Sequence, residues 1–142
     1  MTVTEKDIEY VTLRSVLVDR PYNDLGLLVR GSLFFCSEAQ STWSVNVLVR
    51  MFLYLAETYH EYIKTRDELD IYGSKRIFLP IPYCCLLYSG RGEMRPEVLS
   101  LAKEFFGENS PLDLKVEVIC KGGTDNIAQQ YIRFCHIFDE QV

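Results

Sequence analysis

The sequence predicts a single α/β (α+β) domain over residues 1–142, with a mixed central β-sheet flanked by helices. Three observations predict it. Three apolar, β-branched-rich runs occupy the first forty residues, and a helical repeat of apolar positions follows them. An alternating run, "LKVEVIC", then lies between two further helical stretches. A chain of 142 residues is long enough to bury one sizeable core. No repeat, low-complexity segment or linker divides it.

The elements follow in order. "EYVTLRSVLV" predicts a strand over 9–18, and "RPYN" turns the chain. Two further strands are expected over about 24–30 and 33–39, joined by a tight "RGS" link. From Ser44 to about Arg66, Val47, Leu48, Met51, Phe52, Leu55, Tyr59 and Ile63 recur at helical spacing, with Ser41, Thr42 and Ser44 as candidate caps. "KRIFLP" and "PYCCLLYS" read as extended segments broken by Pro80 and Pro82. A short helix is expected within 95–109, with Pro96 near its start and Gly107 past its end. "LKVEVIC" is the last strand. "KGGTD" then turns the chain into a closing helix capped by Thr124 or Asp125.

Composition narrows the function classes. Hydrophobic residues make up 48% of the chain, which predicts a packed domain and not a disordered one. The net charge of −5 argues against a general nucleic-acid coat or a membrane-surface protein, which would be basic. A metal-dependent nuclease remains compatible, because its carboxylates add negative charge. The five cysteines have no C-x-x-C spacing, which argues against a zinc site or disulfide framework. The polar, acidic start "MTVTEKDIEY" argues against a secretory leader, and a cytoplasmic protein is expected.

The stretch "DLGLLVRGSLFFCSEAQSTWS" carries the candidate chemistry. Strand alternation puts Glu38 and Gln40 on one face and Ala39 on the other. A two-residue loop would set Asp24 opposite Ala39, whereas a three-residue loop or a bulge would set it on the face of Glu38. In that second register Asp24, Glu38 and the Gln40 amide oxygen converge, with the Ala39 carbonyl nearby. Such a set of hard oxygens suits Mg²⁺ or Mn²⁺. Ordinary solvated carboxylates at strand ends are the competing reading. His60 and His136 lie far apart on expected helices, and no serine or cysteine has a nucleophile-elbow setting.

"ND" (Asn23-Asp24), an apolar hairpin and then "EAQST" resemble the PD-(D/E)XK nuclease superfamily, in its recombination-promoting nuclease or transposase-like branch. Asn46, Arg50 and Tyr54 match that branch's Asn, Arg and Tyr pattern on the following helix. "DIYGSKRIFLPIP" and "YCCLLYSGRGEMRP" resemble two further segments of it, with Ser89 where Asn is usual. The likeness runs from about Asp7 to Asp139. Val45 and Leu48 stand where prolines are usual at the helix start.

The resemblance implies a restriction-endonuclease-like core lacking the usual first helix, and a DNA endonuclease of a mobile element or phage. Asp24 and Glu38 would hold Mg²⁺ (or Mn²⁺) with the Ala39 carbonyl assisting. Gln40, at the usual lysine position, would orient the attacking water. Asn46, Arg50 and Tyr54 would face the nucleic acid, and Lys75 and Arg76 would extend the path, with Arg91 and Arg95 a second basic cluster. Members of the branch begin with a helix, where here only "MTVTEKDIE" precedes the first strand. A homodimer is therefore expected, a second copy covering the apolar surface left open. The alternative is a catalytically inactive, shortened nuclease fold that binds protein or nucleic acid as an inhibitor or accessory factor.

Overall fold

Each central strand is apolar on both faces, which requires a sheet shielded from both sides. The structure, a computed structural model, describes residues 4–11, 25–90 and 95–120. Among them six strands form one mixed sheet: β1 (Ile8–Val11), β2 (Leu25–Val29), β3 (Leu33–Gln40), β4 (Ile81–Tyr88), β5 (Val98–Ser100) and β6 (Lys115–Cys120). Their order is β1-β2-β3-β4-β6-β5. The first three strands form an antiparallel meander, β3, β4 and β6 run parallel, and β5 closes the edge antiparallel to β6.

Parallel neighbours need a crossover, and helix α1 (Val47–Lys64) supplies it between β3 and β4. Its 18 residues span about 27 Å at 1.5 Å each, enough to run back along the eight-residue β3. The apolar positions read from the sequence face the sheet: Val47, Leu48, Met51 and Leu55 join Phe34, Cys36, Cys84, Leu86, Val116 and Val118 in one core. The other face is shielded as well, with Val29, Leu33, Cys85 and Ile119 buried. No described helix is long and apolar enough to cross a membrane.

The β2–β3 hairpin has the three-residue loop. Val29 lies opposite Leu33, and Arg30, Gly31 and Ser32 make the turn. Both Arg30 (φ 50°) and Gly31 (φ 65°) are left-handed, a conformation that costs an arginine but not a glycine. Asp7 holds Arg30 there. Its carbonyl accepts the Arg30 N–H at 2.7 Å, and its carboxylate takes Arg30 Nε at 3.0 Å and Nη2 at 3.2 Å. The Arg30 guanidinium, helped by the Thr4 N–H, lowers the Asp7 pKa to about 2 from the ordinary 3.8. Because the folded value lies below the unfolded one, this stabilisation is complete above the unfolded pKa and disappears as pH falls through about 2. Thermal midpoints of wild type and Asp7→Asn should therefore differ at neutral pH and converge on acidification; a constant difference would exclude the pair as the cause.

Three local expectations are corrected. The helix cap is Asn46, and Ser44 Oγ merely accepts the Asn46 N–H at 3.2 Å; Ser41 and Thr42 lie further ahead. "KRIFLP" forms no strand, and β4 instead runs unbroken through Pro82. Proline is tolerated there because Pro82 pairs only with β3, the β6 ladder beginning at Cys84. The helix expected within 95–109 is reduced to a π-helical turn, Ala102–Phe106, ending at Gly107. Val98–Ser100 instead pair with β6, because its open edge offers hydrogen bonds and a buried place for Leu99. Asp113 secures the switch from strand to turn, accepting the Ala102 N–H and the Ser100 hydroxyl. Those bonds, the first above all, lower its pKa. Asp24, Arg91 and the expected C-terminal helix, with Cys135 and His136, lie outside the described residues.

Candidate active site at the C-terminal end of β3

The face of β3 that carries Phe34 and Cys36 continues to Glu38 and Gln40, so core alternation delivers two polar side chains beneath the start of α1. Glu38 is only 6% exposed. A carboxylate so buried must be paired, and Arg50, in the first turn of α1, pairs with it. Arg50 donates from Nε at 3.1 Å and from Nη2 at 2.7 Å, both to Glu38 Oε1. Gln40 Nε2 donates to that same oxygen at 2.9 Å.

Three donors thus crowd one carboxylate oxygen. The other, Glu38 Oε2, is buried with no hydrogen-bond partner among the described residues, and so is Gln40 Oε1. Leaving a buried acceptor unpaired costs about 1–3 kcal/mol, more for a charged one. Two of them, two residues apart on one strand face, form an acceptor pair that a cation or a donor would complete. Both are hard oxygens of the kind Mg²⁺ and Mn²⁺ take. Beside them opens a cleft of about 360 Å³, lined by Ala39, Gln40, Ser41, Thr42, Ser44 and Arg50.

The next strand shapes the rim. Tyr88 is the β4 partner of Gln40, and Ser89 donates its N–H at 2.9 Å and its hydroxyl at 3.3 Å to the Gln40 carbonyl. At Gly90 an added Cβ would lie 2.6 Å from the Ser41 carbonyl and collide with the Tyr88 ring, so only glycine lets these strand ends close up. Trp43 packs edge-on to Tyr88, ring centres 5.3 Å apart, and the Arg95 guanidinium sits over both rings.

Of the residues singled out in the sequence, Glu38, Gln40 and Arg50 come together, with Ala39 at the cleft wall. The hairpin ladder ends at Leu25↔Ser37, and Asp24 lies outside the described residues. Asn46 is exposed at the helix cap, and Tyr54 is buried at 3% exposure, away from solvent. Lys75 and Arg76 are exposed on the connection from the end of α1 to the start of β4, at the opposite end of the sheet from Gln40. Among the described residues no group of three or more His, Cys, Asp and Glu side chains could hold a metal ion. Sequence reading missed Trp43 and Tyr88, whose ring spacing gives no local signal. No family model, curated protein or solved structure matches the chain.

Proposed function

We propose that the chain is a metal-dependent DNA endonuclease that hydrolyses phosphodiester bonds at the Glu38–Gln40 site. One observation carries the reading: two buried acceptor oxygens, Glu38 Oε2 and Gln40 Oε1, have no partner among the described residues and stand beside a cleft at a strand end. On this reading Glu38 and the Ala39 carbonyl hold Mg²⁺ or Mn²⁺. Asp24, which lies outside the described residues, is the second carboxylate that the sequence resemblance implies. When bound, the cation supplies Lewis acidity toward water and the phosphate.

The remaining chemistry belongs to the side chains. Arg50 fixes the Glu38 carboxylate through one oxygen and leaves the other available. Gln40 is fixed through its amide N–H, so its oxygen serves as a stationary acceptor that orients the attacking water. Being neutral, it adds no positive charge at the phosphate. Ser41 and Thr42 supply hydroxyl donors at the cleft wall. The Arg50–Glu38 pair also favours the second reading, an inactive fold that binds nucleic acid or protein, because it partly neutralises the carboxylate.

Supercoiled plasmid incubated with the protein should be nicked in Mg²⁺ or Mn²⁺ and stay intact in EDTA. Binding without nicking in either ion would favour the second reading.

A further inference from the structure

Arg95 is placed in a way that neither the core nor the Glu38 pair explains. Its guanidinium lies 4.8 Å from the centre of the Trp43 ring and 5.6 Å from that of Tyr88. Its Nε is buried with no acceptor among the described residues, and no described carboxylate pairs with it. Cation–π contact balances part of the charge but satisfies none of the N–H donors, which point in the plane of the guanidinium. A half-buried arginine stacked on aromatic faces, its buried Nε without an acceptor among the described residues, is arranged to receive an anion, and its planar fork matches phosphate.

The position of this arginine selects the anion. Tyr88 is the direct β4 neighbour of Gln40, and Trp43 follows Gln40 by three residues on the same strand end. Arg95 therefore stands at the same end of the sheet as the Glu38–Gln40 cleft, whereas Lys75 and Arg76 lie at the far end. We propose that Arg95, stacked over Trp43 and Tyr88, binds a backbone phosphate of the nucleic-acid strand next to the one at Glu38. This assignment rests on the nuclease reading of the same site.

The salt dependence of binding separates this role from a structural one. A fluorescein-labelled duplex oligonucleotide is titrated in EDTA at several salt concentrations and followed by anisotropy, with plasmid nicking measured on the same proteins. Trp43 is the single tryptophan, so its fluorescence should also change on binding. Arg95→Gln should weaken binding about tenfold at low salt. It should also lower the slope of log affinity against log salt by about 0.9, the value of one lost phosphate contact. Arg95→Lys keeps the charge and should keep the slope. An unchanged slope in Arg95→Gln, whatever the affinity, overturns the assignment; if nicking still requires Glu38, the nuclease reading stands without it. A wild-type protein that neither binds nor nicks DNA overturns both.

Discussion

On the nuclease reading, Glu38→Ala is expected to eliminate metal-dependent nicking while the fold survives. The substitution removes the one described carboxylate at the cleft, whose buried Oε2 has no partner among the described residues. Loss of a group that organises charge at a reacting phosphate lowers the rate by about 10³-fold. Stability changes far less. The Arg50 side chain is 30% exposed and recovers water when its partner is deleted, so the ion pair contributes less than a fully buried one. Glu38→Gln is the sharper variant, since it keeps shape and an acceptor for Arg50 but discards the charge. Gln40→Ala should slow nicking less, because the amide orients water without carrying charge. Mn²⁺ titration by calorimetry should show weaker binding in both Glu38 variants. Cleavage at wild-type rate in Glu38→Ala would remove this site from consideration.

Phe34→Ala is expected to destabilise the protein by about 3–5 kcal/mol, the usual cost of deleting a large ring from a packed core. Phe34 is fully buried on β3, four residues before Glu38, with its ring 5.9 Å from that of Tyr59. Tyr59 is itself anchored by its hydroxyl, which donates to the Pro80 carbonyl, and burial raises its pKa. The ring of Phe34 therefore joins β3, α1 and the approach to β4 at one point. Phe106, 57% exposed, is the control, and Phe106→Ala should stay within about 0.5 kcal/mol. Urea unfolding followed by circular dichroism measures both. Equal costs at the two positions would contradict the packing of α1 on the sheet.

Period was the legible part. The alternation of β3 assigned Glu38 and Gln40 to one face, and the spacing of Val47, Leu48, Met51 and Leu55 identified the buried stripe of α1. Each is a property of neighbouring residues, and local backbone geometry converts it directly into direction. The same local reasoning failed at Val98–Ser100. There, propensity and a proline–glycine frame suggested a helix, and the unpaired edge of β6 took the segment as a strand.

Register and convergence were decided only in three dimensions. "RGS" is compatible with a two- or a three-residue loop, and the choice depends on Asp7 holding Arg30 in a left-handed conformation from 23 residues away. Arg50 is one of several cations near the acidic stretch in sequence. Its pairing with Glu38 follows from where α1 begins relative to the end of β3. Trp43 and Tyr88 meet because β3 and β4 are parallel neighbours in a register that aligns Gln40 with Tyr88, and Arg95 sits over the rings so joined. Side-chain direction is encoded within a few residues, so the sequence alone determined which faces are apolar and where the polar pair sits. Which distant groups share a site depends on hydrogen-bond ladders between strands, and those exist only once the sheet has formed.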